Sequence, residues 1–449
     1  MASSNTWTLG AALAFGLNAA CATGVTSHKS YTLPAVEIVA MDAAVNLGAR
    51  LSVDPAHYKV TPTSIRRNLR GPWVVDDDPF EINQFLHPYQ GAMYHGIARS
   101  NGLSYWTSVA YTFAGSALWE IAGETVPPAR NDQIASGIAG SFLGEPLFRI
   151  SRLLLERADH GPGVWRTLGS VLASPPVGIN HLLVGDPVGS LAPDAVPFSD
   201  IRVQFGATAM TTGRPQSGSS TAPNQARLSL SMDYGYPGNA SYRHERPFDY
   251  FRIESSVSAE GMEQLSTRGL VAGADYGTGR LAGIWGLYGT YDYFAPADFH
   301  FSSTAVSFGT TVQASISESL VVQSAGLMGA GYAATQAGQT DGRDYHYGVA
   351  PQALANVRLI AGRRAALDVT AREYFISSVG GFDAGQRDLI FVGDTSLAIR
   401  IYRRHAFSVN YQLARRTSEL LALPDYTQAR STVGLFYTFL GSGGFGAVR

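Results

Sequence analysis

Glu120 and Glu124 stand four residues apart in a stretch where Trp106, Val109, Phe113 and Ser116 or Ala117 recur at helical spacing. On a helix those positions share one face, and the face reads as buried because its other members are apolar. A buried carboxylate needs a proton, a cation or a metal ion beside it. His87 opens the preceding helical stretch, where Gly91, Tyr94 and Ala98 follow on the same face. Asp132 and Glu145 bracket a third stretch, and Glu145 with Arg149 makes an i, i+4 ion pair. His87, Glu120, Glu124 and Asp132 are the candidate catalytic set, with the residue types for acid–base work on a lipid headgroup or for a divalent metal. The wider binding set is His87, Tyr94, Arg99, Glu120, Glu124, Asn131, Asp132, Glu145 and Arg149. No motif calls for a cofactor, and a divalent metal is the one ion this set could hold. The metal signatures H-E-x-x-H and E-x-x-H are missing. With His95, Arg99, Arg130 and Arg149 also at hand, the same residues suit a purely structural polar network. There is no G-x-S-x-G nucleophile elbow, and Ser100-Asn101-Gly102 reads as a turn between helices.

The elements that carry these residues are legible from their punctuation. Pro88 suits the start of a helix, Pro127-Pro128 and Pro175-Pro176 end two others, and Asn131 or Asp132 can cap a third that Pro146 interrupts. Residues 80–186 therefore predict a helical domain of four or five helices. Residues 23–79 show no sustained period and read as an extended arm. Leu9 to Ala22 is apolar and ends in Ala20-Cys21-Ala22, which predicts an export signal over residues 1–22, with lipidation of Cys21 as the alternative.

From about residue 197 the period changes to two. Ala226, Leu228, Leu230, Met232 and Tyr234 alternate with Arg227, Ser229, Ser231 and Asp233. Leu389, Phe391, Leu397, Ile399 and Ile401 face away from Asp394, Ser396 and Arg400. Such runs exceed ordinary globular strands and match strands that cross a bilayer. About twelve such segments follow one another up to residue 440, and an even number is expected of a bacterial barrel. Long connections at 416–428, 377–386, 335–343 and 294–302 alternate with tight ones near 404, 362, 318 and 278. Gly235 to Pro247 breaks that rhythm. Tyr288, Tyr291, Tyr293, Tyr345, Tyr347, Tyr402 and Tyr411 suit interfacial girdles. Val433, Leu435, Tyr437 and Phe439 alternate in the last strand, a signal for the outer-membrane assembly machinery, and a tail over 441–449 follows it.

Composition agrees with this reading. Charged residues make up 15 % of the chain and the net charge is −2, so no basic face for nucleic acid is expected. A single Cys excludes a disulfide scaffold and a Cys-based zinc cluster.

The phrases Asn83-Gln84, His87-Pro88, Gly91, Tyr94, Ala98-Arg99-Ser100-Asn101-Gly102, Trp119-Glu120, Glu124, Asn131-Asp132, Leu143-Gly144-Glu145 and Arg149 occur in an order that resembles a domain-of-unknown-function family of bacterial secreted and outer-membrane proteins. The resemblance covers about residues 75–185 and implies location and architecture, but no reaction. The expectation is a mainly β protein: a helical domain followed by a twelve-stranded antiparallel transmembrane barrel in the bacterial outer membrane. Both termini are expected in the periplasm, and the helices below the barrel mouth or in its lumen as a plug. Outer-membrane lipids are the expected surroundings. Two functions stay open: a plugged barrel with a transport, binding or envelope-structural role, or a lipid-directed enzyme using the helical cluster.

Overall fold

The computed structural model describes residues 29–76, 78–156, 163–184, 197–214, 218–277, 279–297, 299–336, 345–381, 385–419 and 425–448. The export signal and Cys21 lie outside them. The chain forms two compact units: residues 1–76 with 87–191, and residues 77–86 with 192–449.

The first unit is helical. Its α-helices are α1 (Thr32–Ser52), α2 (Pro62–Arg70), α3 (His87–Ser100), α4 (Tyr105–Ala122), α5 (Arg130–Ile134), α6 (Gly140–Glu156), α7 (Val164–Ala173) and α8 (Pro175–Val184). A π-helical turn, Ala135–Ala139, joins α5 to α6. The region read as an extended arm is thus mostly helical. The helical period is weak there because α1 has an inverted pattern. Beside one apolar contact, Ile38 with Tyr94 and Ile97, it meets the other helices through polar groups: Glu37 accepts from Asn101 and Asn180, Asp42 from Tyr94, and Asn46 donates to the Gly123 carbonyl. Val36, Val39, Leu47 and Leu51 lie exposed on it. By length and composition alone α1 is apolar enough to cross a membrane; the polar bonds tie it to its neighbours. α2 starts on a reciprocal capping box between Thr61 and Ser64, with Pro62 inside its first turn.

The same inversion corrects the reading of α4. Ser104 caps it, and its buried residues are Tyr105, Ser108, Thr112, Gly115, Ser116, Trp119 and Glu120. Trp106, expected on the buried stripe, is 60 % exposed. Small polar residues form the inner face because they let the neighbouring helix come close. Ser100 closes α3, and Gly102 takes the turn with φ 82°, a conformation that glycine adopts without strain. α3 and α6 approach most tightly at Gly91 and Gly140. A Cβ on Gly91 would lie 2.0 Å from the Ser136 carbonyl oxygen, and one on Gly140 would lie 2.6 Å from the Gly91 Cα.

The second unit is a closed antiparallel barrel of β1 (Ser199–Arg214), β2 (Gly218–Tyr234), β3 (Phe251–Ser258), β4 (Gly261–Tyr276), β5 (Leu281–Phe294), β6 (Phe301–Ser315), β7 (Leu320–Gln336), β8 (Tyr345–Ala361), β9 (Ala365–Gly381), β10 (Arg387–Tyr402), β11 (His405–Glu419) and β12 (Tyr426–Leu440). β1 pairs with β12 from Arg202–Leu440 to Gly213–Ala429 and closes the ring. Side chains alternate as the period of two requires. Phe205, Leu228, Met328, Leu359, Phe391, Ile401 and Leu435 are exposed on the outer wall, Met328 at 72 % and Ile401 at 70 %. Arg202, Arg227, Arg252, Arg358, Asp368 and Thr370 are buried on the inner one.

The tyrosines divide by parity. Tyr411 is exposed on the outside, and so is Tyr402, where a register shift after Arg400 interrupts the alternation. Tyr288 instead points inward, where it packs with Tyr236, Tyr250 and Ile284. Tyr288 and Tyr291 are three residues apart, so they cannot share a face of one strand. Tyr291, Tyr293 and Tyr345 do point outward but are buried, because Pro79 to Leu86 covers them. Phe80 stacks on Tyr293 and His300 and meets Tyr345 edge-on. Asn83 Nδ2 donates to the Tyr345 hydroxyl at 2.6 Å, and the Tyr291 hydroxyl donates to the Gln84 carbonyl at 2.7 Å. This short segment, with the π-helical turn Ile82–Leu86, therefore lies on the outside of β5–β8.

Replacing Gly91 by Ala should push α3 away from the π-helical turn and lower the stability of the helical unit by about 1–3 kcal/mol. Gly48→Ala, in α1 with open space around it, should be neutral or slightly stabilising. Thermal unfolding of the detergent-solubilised protein, followed by near-ultraviolet circular dichroism, compares the two. Equal midpoints would refute the close-approach account.

Candidate functional site

Three turns of chain converge to build the polar centre of the helical unit. His87 begins α3, Glu120 sits in the last turn of α4, and Asp132 lies in the first turn of α5. Their placement is fixed by a short parallel bridge between Val74 and Ala129. The Val74 N–H donates to the Pro128 carbonyl and the Arg130 N–H to the Val74 carbonyl, both at 2.8 Å. That bridge aims the Ala129 N–H at Glu120 Oε2, 2.8 Å away. Asn131 Nδ2 donates to Asp132 Oδ1 at 3.0 Å, and its side-chain Oδ1 accepts from the Asp76 N–H.

His87, Glu120 and Asp132 are all buried, and one ligand atom from each lies within 4.8 Å of the others. His87 Nε2 is 3.7 Å from Asp132 Oδ2. Glu120 Oε1 is buried with no hydrogen-bond partner among the described residues. Burial above all, then the charge of Asp132, pushes the Glu120 carboxyl up to about 9.

The other predicted residues separate into networks of their own. Glu124 does not join Glu120: it accepts from Trp119 Nε1 at 2.9 Å and faces His57 Nε2 at 3.2 Å. Glu145 is fully buried and accepts from Arg99 through both oxygens, at 2.7 and 3.1 Å, and from Arg149 at 2.9 Å. Its Oε2 also lies 3.0 Å from His95 Nε2. Burial opposes this charge, but the Arg99 guanidinium outweighs it and holds the carboxyl well below the usual range. Arg99 also covers the Phe148 ring. Tyr94 donates to Asp42 at 2.5 Å, and burial raises the Asp42 carboxyl to about 7. Sequence reasoning missed Asp42 and His57 because both fall in the stretch read as an arm. Asp132 belongs to the central cluster and Asn131 lies beside it, whereas Tyr94, Arg99, Glu145 and Arg149 belong to the other networks.

The barrel holds a second polar centre. Arg358 Nε pairs with Asp368 at 2.6 Å and its Nη1 with Asp233 at 3.1 Å. Arg252 joins Asp233 to Glu254, and Arg372 joins Glu254 to Asp394. β2 and β8, like β3 and β9, are not neighbours, so these pairs span the lumen. Arg252, Glu254, Asp368 and Asp394 line a cavity of about 150 Å³ together with Arg202, Thr370 and Asn410.

Apolar layers close both ends of that chamber. At the end of the two-residue turn 403–404, residues 441–448 fold back inside the ring. Phe445 packs on Val321, Ile360, Ala398 and Ala406, all inward-facing. Gln313 exchanges hydrogen bonds with both the N–H and the carbonyl of Val448, and Gln323 donates to the Gly446 carbonyl. The β2–β3 connection, which broke the rhythm of long and short loops, brings Tyr236 and Tyr250 against Val448 at the same mouth. At the opposite end Phe299, in the β5–β6 connection, packs on Phe294, Phe301, Tyr374 and Ile390.

Residues 72–176 match the model of a family described as a domain of unknown function, DUF3943. No curated protein matches the chain. Among solved structures, the outer membrane channel DcaP of Acinetobacter baumannii aligns at 7 % identity over 56 % of this chain and all of its own, with a TM-score of 0.25. The COG4313 outer membrane channel from Pseudomonas putida F1 aligns at 11 % identity over 56 % of this chain and 98 % of its own, with a TM-score of 0.27. The NanC porin aligns at 8 % identity over 51 % and 98 %, with a TM-score of 0.24.

Glu145→Gln should leave Arg99 and Arg149 buried against a neutral amide and cost about 3–5 kcal/mol. The helical component of the far-ultraviolet signal should then melt well below that of the unsubstituted chain, while the strand component persists. Unchanged melting would show that the Glu145 network contributes nothing to stability.

Proposed function

We propose that this protein is an outer-membrane β-barrel whose lumen is a gated passage or binding chamber for a small polar solute. The observation that carries the proposal is the ring itself: apolar side chains exposed outside, ion pairs inside, and an apolar layer at each mouth. In lipid the backbone polar groups need partners within the protein, and a closed ring supplies them. Strands of 14–17 residues, β3 excepted, exceed the ~9–11 residues a tilted strand needs to cross.

In this proposal the end bearing the tight turns 316–319, 362–364 and 403–404 faces the periplasm. The barrel's own C-terminal tail and the β2–β3 connection are the plug, a role the sequence alone had suggested for the helices. The exposed Val164, Trp165, Leu168 and Leu172 of α7 and Leu182 and Leu183 of α8 fit outer-membrane lipid as surroundings for the helical unit. Val433, Leu435 and Tyr437, exposed on β12, with Phe439 beside them, are available to the assembly machinery.

A salt-bridged, solvated chamber between two caps conducts when a cap moves. Deleting residues 441–449, or replacing Phe445 by Gly, should raise single-channel conductance in planar bilayers severalfold over the full chain. If both variants insert and conduct no better than the full chain, the lumen is not the pathway.

A further inference from the structure

The cluster at the start of α3 has a property that the barrel's function leaves unused. Two carboxylates and an imidazole come together in a buried cluster, and one carboxylate oxygen of it, Glu120 Oε1, is buried with no hydrogen-bond partner among the described residues. An orphaned, buried carboxylate oxygen is costly unless something cationic completes it. We propose that His87 Nε2, the Glu120 carboxylate and Asp132 Oδ2 bind one divalent transition-metal ion.

The arrangement has the second shell that metal ligands usually require. Asn131 donates to Asp132 Oδ1, and Asp132 Oδ2 lies 3.7 Å from His87 Nε2. The Ala129 N–H holds Glu120 Oε2, so the carboxylate cannot swing out of the cluster. Both supports are rigid: Asn131 is anchored to the Asp76 backbone, and Ala129 is fixed by the bridge to Val74. Ligand atoms around an ion with ~2.0–2.2 Å bonds lie some 3–4 Å apart. The 3.7 Å between His87 and Asp132 already meets that spacing, and the limit of 4.8 Å for the whole set needs only a small contraction.

The ligand types select the ion. One imidazole with two carboxylates suits Zn²⁺, Mn²⁺ or Fe²⁺, whereas Ca²⁺ and Mg²⁺ favour all-oxygen cages. Three protein ligands leave coordination positions for water or a substrate oxygen, as in catalytic rather than structural zinc sites. Glu124 is excluded from the set because Trp119 and His57 occupy it, and Glu145 because Arg99 and Arg149 do.

The full chain in detergent, stripped with EDTA, is titrated with ZnCl₂ and with MnCl₂ by calorimetry. One ion per chain should bind, and Glu120→Gln and Asp132→Asn should each weaken binding at least about 10-fold. Glu260→Gln, an exposed carboxylate in the β3–β4 turn, should bind like the unsubstituted chain. Should the two cluster variants fail to fold, the unsubstituted protein loaded with Co²⁺ decides the matter. Visible d–d absorption together with imidazole and oxygen scattering at the cobalt absorption edge supports the site. Absence of stoichiometric binding, equal affinity in folded Glu120→Gln and Asp132→Asn variants, or cobalt without an imidazole ligand overturns it.

Discussion

Pairing of β1 with β12 removes the sheet edges, and most other features of the second unit follow from that bond. A strand with a free edge leaves a row of N–H and C=O groups that only water or another strand can satisfy. Closing the ring from Arg202–Leu440 to Gly213–Ala429 satisfies them within the chain. Once the backbone is self-sufficient, the outer wall can be apolar. Phe205, Met328, Ile401 and Leu435 are exposed there without needing a protein partner. Closure also fixes the parity of every strand, so each polar side chain is committed to the lumen.

That commitment creates the second constraint. A ring of twelve strands is wider than an eight-stranded one, whose side chains fill the interior. Here the space is filled by cross-lumen ion pairs and by chain folded back from one rim. Charged groups in such a place need partners, and Arg252, Arg358 and Arg372 each engage two acidic residues. The tail contributes where charge pairs stop: Phe445 and Val448 cover the apolar ring of Val321, Ile360 and Ala406 on one side and Leu270 and Ile284 on the other. The helical unit solves a related problem in a different way. Its interior is rich in serine, threonine, histidine and carboxylates, and its exposed surface carries tryptophan and leucine. Such a unit depends on complete polar networks, of which Glu145 with Arg99, Arg149 and His95 is the fullest.

The barrel was legible in the sequence because a period of two survives any tertiary context: a slip of one residue would turn every apolar side chain into the lumen. Strands β10 and β12 follow the alternation residue by residue. What was not legible depended on contacts between distant segments. Tyr288 and Tyr291 look alike in sequence, but one lines the lumen and the other meets Gln84 on the outer wall. The tail after Leu440 read as an appendage, since nothing local signals that Gln313 and Gln323 await its backbone. In the helical unit, the rule that apolar residues mark the buried face misplaced Trp106 and hid α1, because these helices bury their polar sides. The cluster of His87, Glu120 and Asp132 was visible as a set of residue types. The separation of Glu124 from it was not, since His57 lay in a stretch with no readable helical period.

Site-directed spin labelling tests the central claim that the ring is apolar outside and wet inside. Single cysteines at Phe205, Ile399 and Leu435, and at Thr370 and Asn410, are introduced in a Cys21→Ser background and the protein is reconstituted into lipid vesicles. Labels at the first three positions should be accessible to oxygen and shielded from a water-soluble nickel complex, and labels at the last two should show the opposite order. Nickel accessibility at Phe205, Ile399 and Leu435 equal to that at Thr370 would contradict a membrane-spanning ring.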